Sequence, residues 1–189
     1  MARLLVAYAA MPAHELLRAL AAEFHGVEPG RVVVGHVCPG CGGDDHGRPV
    51  LIPTSSLRSP AHVSLSRAAG MSLAAVTDAG PLGVDIEISG AAGFAGFADV
   101  ALGEHDDDAL DPTTAWVRKE ALLKAYGLGL AVDPRDVPAE GEAVPPPPGA
   151  PRGTAWRRDL DVPGHAAAVA VLLERPADTD RLTATVSRW

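Results

Sequence analysis

Hydrophobic and polar positions follow two different periods along this chain, and the switches between them mark out short strands and helices. Residues 4–9 are a short apolar run that suits a strand. Pro12 then opens a segment in which Leu16, Leu17, Leu20 and Phe24 recur at helical spacing until Gly26 closes it. Residues 31–37 are β-branched and predict a strand. They run into a stretch, residues 38–49, where glycines and prolines forbid regular structure. Residues 63–66 and 71–77 read as two strands of a hairpin about Gly70. A second half begins near Gly80-Pro81. In residues 82–88 the alternation is clean: Leu82, Val84, Ile86 and Ile88 point one way, and Gly83, Asp85 and Glu87 point the other. A helix is expected around residues 94–102. A longer one starts at Asp111-Pro112, with Asp at the N-cap and Pro at the first helical position, and stops at Gly127 after Tyr126. Residues 144–149, with four consecutive prolines, predict an exposed polyproline-like loop. Strands at residues 154–160, 165–173 and 182–186 finish the chain. The pattern predicts an α+β fold, with a helix or two against an antiparallel sheet in each half, residues 1–80 and 81–189.

Composition narrows the function classes. The 189 residues are 47% hydrophobic, enough for a substantial core. A net charge of −8 excludes a general nucleic-acid binder, which needs a basic surface, though not a local basic pocket. No run reaches the roughly 20 apolar residues that span a bilayer, and the first residues do not read as a signal peptide. The expectation is a soluble cytoplasmic protein. Its two cysteines, Cys38 and Cys41, are too few and too close for a disulfide framework. Cys38-x-x-Cys41 with His36 and His46 nearby has the spacing of half a zinc site. Without a second cysteine pair, the expectation is a tight turn carrying reduced thiols near solvent.

Two segments carry candidate chemistry. Asp85 and Glu87 lie two apart on a strand, so their carboxylates emerge on one face, where they suit a hard cation such as Mg²⁺. Alone, that pair reads as a solvated acidic face. The second segment is Trp116-Val-Arg-Lys-Glu-Ala-Leu-Leu-Lys124. Glu120 and Lys124, four apart, share a helix face, and with Lys119 they make a polar stripe on an otherwise apolar helix. That stripe suggests a cleft where a third carboxylate and an ammonium meet the strand pair.

Together the two segments, Gly83-Val84-Asp85-Ile86-Glu87 and Trp116-x-x-Lys119-Glu120-Ala121-x-x-Lys124, resemble the paired signature of the 4′-phosphopantetheinyl transferases. Upstream, Gly47-Arg48-Pro49 and Val63-Ser64-Leu65-Ser66-Arg67 are similar to the Gly-Lys-Pro and Asn-Ile-Ser-His-Ser segments of the surfactin-synthetase-activating type, with Arg replacing Lys and His. Downstream, residues 165–169 are similar to the family's late apolar strand. About eighty residues precede Asp85, which resembles the pseudo-dimeric monomer rather than the small trimeric type. An additional basic helix of longer members has no counterpart: between Pro12 and Phe24 the one Lys or Arg is Arg18.

The resemblance implies two similar lobes with the active site between them, and a magnesium ion (or Mn²⁺) held by Asp85, Glu87 and Glu120. It implies coenzyme A as co-substrate, bound by Arg48, Ser66 and Arg67, with Arg48 and Arg67 on its 3′-phosphate and Lys119 and Lys124 on its diphosphate. The other substrate would be the serine of an apo acyl or peptidyl carrier protein. Glu120 would take the serine proton, with Lys124 and Lys119 neutralising the leaving group. Two other readings are open at this point. One is a Mg²⁺-dependent phosphohydrolase or nucleotide-binding enzyme using the same carboxylates. The other is a catalytically silent binding module recruiting a partner through Pro145–Pro148.

Overall fold

In the computed structural model the residues described are 2–38, 40–57, 59–104, 106–107, 109–147, 149–150, 153–174 and 182–189. Strand β1 (Arg3–Ala9) leads to helix α1 (Ala13–His25), which ends on a left-handed Gly26 whose N–H caps the carbonyls of Ala22 and Glu23. A short hairpin follows, β2 (Val34–Val37) and β3 (Arg48–Leu51), then a longer one, β4 (His62–Ala68) and β5 (Met71–Thr77). After β6 (Leu82–Ile88) come the short helix α2 (Phe97–Ala101) and the long helix α3 (Pro112–Tyr126). Asp111 caps α3 by accepting from the Thr114 N–H, and Gly127 closes it at φ 70°. The remaining strands are β7 (Ala143–Val144), β8 (Thr154–Asp159), β9 (His165–Leu173) and β10 (Thr183–Arg188).

The architecture is α+β. One four-stranded sheet has the order β10-β1-β5-β4, and the other β6-β9-β8-β7. Their inner faces share a core in which Leu4, Val6 and Leu73 meet Val84, Ile86, Val169 and Val171. The outer face of the first sheet is covered by α1 through Leu16, Leu17, Leu20 and Phe24. That of the second is covered by α3 through Val117, Ala121 and Leu122. Burial of these aliphatic faces, about 25 cal/mol per Å² of apolar area, drives the assembly. The two sheets meet where β4 passes β6: the Val84 N–H donates to Ser64 Oγ at 3.1 Å.

The structure departs from the sequence expectations in four places. β10 pairs parallel with β1, from Arg3↔Thr183 to Tyr8↔Arg188, so the first sheet is mixed rather than antiparallel. The division at residue 80 therefore separates the sheets everywhere except at this last strand. Pro49 is part of β3, where it pairs with His36 in a two-stranded ribbon whose edges tolerate proline. The strand expected from residue 31 begins at Val34, because Pro29–Arg31 forms a single 3₁₀ turn. The proline-rich segment is not wholly exposed: Val144 is buried in β7 and Pro147 is buried too, while Pro148 lies outside the described residues. No helix among the described residues is long and apolar enough to cross a membrane.

A candidate active site between β4, β6 and α3

Gly83 determines how close α3 comes to β6. A Cβ at that position would lie 2.0 Å from the Ala121 carbonyl oxygen and 2.8 Å from Lys124 Cβ. Only a residue without a side chain lets the helix lie so directly on the strand. The face of β6 that carries Gly83 also carries Asp85 and Glu87, so the close crossing brings Glu120 and Lys124 of α3 to the two strand carboxylates.

Lys124 and Asp85 form the centre of the cluster. Lys124 Nζ donates to Asp85 Oδ1 at 2.6 Å, and to the Val84 carbonyl at 3.3 Å. Ser66 Oγ, reaching across from β4, donates to the same Asp85 oxygen at 2.7 Å. Asp85 is only 4% exposed, and its second oxygen, Oδ2, is buried with no hydrogen-bond partner. An orphaned, buried carboxylate oxygen is costly, and native structures keep one chiefly where something else binds it.

The two neighbouring carboxyls feel this crowding. Burial raises the Glu87 pKa above the usual range, and the Asp85 charge raises it further against the pull of Lys124. Burial likewise raises Glu120, which Lys124 lowers but Asp85 and Glu87 push up again. One ammonium thus faces three carboxylates.

A test of this imbalance follows from linkage. A carboxyl raised in the fold holds its proton more tightly folded than unfolded. Its stability penalty is therefore absent below the ordinary carboxylate range, grows as pH rises, and is complete above the folded value. Glu120→Gln is accordingly expected to raise Tm by about 1–3 °C at pH 7, with the gain fading as pH falls to about 4. Calorimetric scans at both pH values check this; a Gln variant less stable than wild type at pH 7 would contradict it.

Beyond Lys124 a cleft of about 670 Å³ opens between the β2–β3 hairpin, the start of β4 and the C-terminal end of α3. Its lining includes Lys124, Ser64, His62, Leu128 and Arg48. Arg48 reaches the end of α3: a Cβ on Gly127 would sit 3.7 Å from its Nη1. Burial lowers the His62 pKa, and the Arg48 charge lowers it further.

Of the residues expected to act together, the structure assembles Asp85, Glu87, Glu120, Lys124 and Ser66, and puts Arg48 on the adjoining cleft. It separates Lys119 and Arg67 from them. Lys119 is wholly buried on another side of α3, ion-paired with Asp106 and donating to the carbonyls of Ala101 at 2.7 Å and Pro134 at 3.0 Å. Every proton on its ammonium is thus committed to the scaffold, and none faces the cleft. Arg67 is set aside by strand alternation. Ser66 pairs with Leu73 on the face turned to β6, whereas Arg67 pairs with Ser72 on the face turned to α1. There its charge acts on His14, whose pKa is lowered by burial and then by His36 and Arg67. Ser66 also differs from expectation in its partner, which is Asp85.

The three carboxylates do not close tightly on one another. Among the described residues, the one trio of ligand groups with donor atoms all within 4.8 Å is Cys38, Cys41 and His46. The chain matches no family model and no curated protein.

Proposed function

We propose that the protein transfers the 4′-phosphopantetheine group of coenzyme A to a serine of an apo acyl or peptidyl carrier protein. The observation that carries this reading is Asp85. Its Oδ1 is held by Lys124 and Ser66 while its Oδ2 is buried and unpartnered, and its charge acts on both Glu87 and Glu120, raising the pKa of each. That donor set is all oxygen and carries excess negative charge, which fits a hard divalent cation, Mg²⁺ or Mn²⁺. The resemblance of both motifs to phosphopantetheinyl transferases supports the same reading. So do the two helix-on-sheet units, which we take as the halves of a pseudo-dimeric monomer working in the cytoplasm.

Asp85, Glu87 and Glu120 would hold the ion, which when bound supplies positive charge against the diphosphate. Lys124, on the border of carboxylate cluster and cleft, neutralises charge on the leaving 3′,5′-ADP. Ser66 fixes the Asp85 carboxylate through its hydroxyl. The carrier serine oxygen forms the new bond to the β-phosphorus as the bond to the bridging oxygen breaks, and the serine proton passes to Glu120, directly or through a water.

Arg48 is left as the cation for the 3′-phosphate, by charge-assisted, bidentate hydrogen bonds. Arg48→Ala is expected to weaken coenzyme A binding about 10-fold, and 3′-dephospho-coenzyme A far less. Arg67→Ala, on the α1 face, is expected to change neither. Titration calorimetry with both ligands in Mg²⁺ decides it. Equal losses for the two ligands in Arg48→Ala, or a selective loss in Arg67→Ala, would refute the assignment.

A further inference from the structure

We propose that Cys38, Cys41 and His46 form a zinc site that clips the loop between β2 and β3 and thereby seats Arg48 at the cleft. The two sulfurs and a ring nitrogen of His46 lie within 4.8 Å of one another, with Cys41 Sγ 3.4 Å from His46 Nε2. Two thiolates and an imidazole are the donor set of choice for Zn²⁺, and both cysteines are free. Sequence spacing alone left this site incomplete, because it looked for a second cysteine pair. The third ligand comes instead from the far end of the same loop, which the hairpin register brings back when Val37 pairs with Arg48.

The surroundings are organised as those of a metal centre are. His46 Nδ1 lies 2.6 Å from Asp45 Oδ1. That contact fixes the proton on Nδ1 and leaves Nε2, the nitrogen beside Cys41, as the ligating lone pair, the usual role of a carboxylate behind a metal-bound histidine. The Gly43 N–H donates to Cys41 Sγ at 3.4 Å, a bond that stabilises a thiolate. The loop closes on itself through Gly42 N–H to the Cys38 carbonyl and Cys38 N–H to the Gly43 carbonyl, both 2.9 Å. Gly47, at φ 97°, is forced to be glycine, since a Cβ there would lie 2.5 Å from the Val37 carbonyl oxygen. A disulfide between Cys38 and Cys41 would use none of the His46–Asp45 arrangement. Among the described residues no fourth side chain joins the trio, so the fourth position of a tetrahedral ion falls to water or an incoming ligand.

Binding displaces a proton from each thiol and forms two Zn–S bonds and one Zn–N bond, with no redox partner required. Arg48 lies two residues after His46, so an ion that fixes His46 also fixes the start of β3 and the guanidinium it carries.

The test uses the full chain, purified without a metal-affinity tag, stripped with a chelator, reduced and titrated anaerobically with Co²⁺. The expected result is saturation at about one equivalent, with a thiolate-to-cobalt charge-transfer band and the intense visible bands of a tetrahedral ion, all bleached by Zn²⁺. Cys38→Ser and Cys41→Ser should each remove most of the charge-transfer band, and Asp45→Asn should weaken Co²⁺ binding about 10-fold. Hydrogen exchange across residues 36–51 should slow on zinc loading. The absence of a charge-transfer band in protein whose thiols titrate as reduced would overturn the proposal. So would a band that survives Cys38→Ser, or a Cys38–Cys41 disulfide in place of bound metal in the freshly purified chain. None of these readouts uses coenzyme A or a carrier, so they stand apart from the transferase reading.

Discussion

Asp85→Asn is expected to lower phosphopantetheine transfer by about 10²–10³-fold or more, with Tm within a few degrees of wild type. The asparagine keeps an acceptor oxygen for Lys124 and Ser66, so the contacts that join β6, α3 and β4 survive. What it loses is one negative charge at the most buried carboxylate of the cluster, and with it the donor that Oδ2 offers to a cation. Removing that charge also relieves the repulsion that helps raise Glu87 and Glu120, so stability has a reason to hold while activity falls. Single-turnover transfer measured beside a thermal melt separates the two effects. Wild-type transfer by Asp85→Asn would remove the carboxylate from the mechanism. A large loss of both fold and activity would make Asp85 part of the scaffold.

Lys119→Met is expected to cost about 3–5 kcal/mol of stability, the largest effect of any single change at the two motifs. Lys119 and Asp106 are both essentially inaccessible, with side chains 0% and 1% exposed. Burial works to raise the Asp106 pKa, but the Lys119 ammonium and the N–H groups of Gly103 and Ala139 outweigh it and hold the carboxyl below its usual value. With the lysine gone, an uncompensated charge stays in the core, tied to two loop amides. Lys119→Met with Asp106→Asn is expected to recover part of the loss, since the pair is then neutralised together. Urea unfolding of both variants gives the numbers. The depressed Asp106 contributes stability above the ordinary carboxylate range that is lost as pH falls through its folded value, so the wild type should lose this advantage in acid. A Lys119→Met variant as stable as wild type, but unable to transfer, would return Lys119 to the site.

These two residues show what the sequence reveals and what it hides. The parity of β6 places Asp85 and Glu87 on one face whatever surrounds them, and the four-residue spacing does the same for Glu120 and Lys124. Gly83, one turn of the pleat away, is the cue that the strand and helix touch on that face, because only a backbone approach needs glycine there. Lys119 sits beside Glu120 in sequence, and side-chain direction on a helix, set at 100° per residue, carries it to a different side. Its partner Asp106 lies in an acidic, aperiodic segment, Glu104-His-Asp-Asp-Asp, where nothing marks one aspartate as buried. Arg67 was separable from sequence. Residues 66 and 67 of a strand cannot face one site, and only the family resemblance placed them together. The pairing of β10 beside β1 depends on contacts across 180 residues, and no local pattern encodes it. His46 was visible beside the cysteine pair, but its place next to Cys41 follows only once β2 and β3 have paired and brought the loop's ends together.

Covalent transfer of phosphopantetheine to a carrier serine is measured directly by the mass of the acceptor. The protein is incubated with coenzyme A, Mg²⁺ and several apo carrier domains, and each carrier is weighed by mass spectrometry, with a chelator and Glu120→Gln as parallel arms. The predicted result is a carrier heavier by one phosphopantetheine group, carried on its serine, in the magnesium arm alone. No adduct on any carrier, with coenzyme A either untouched or hydrolysed, would contradict it.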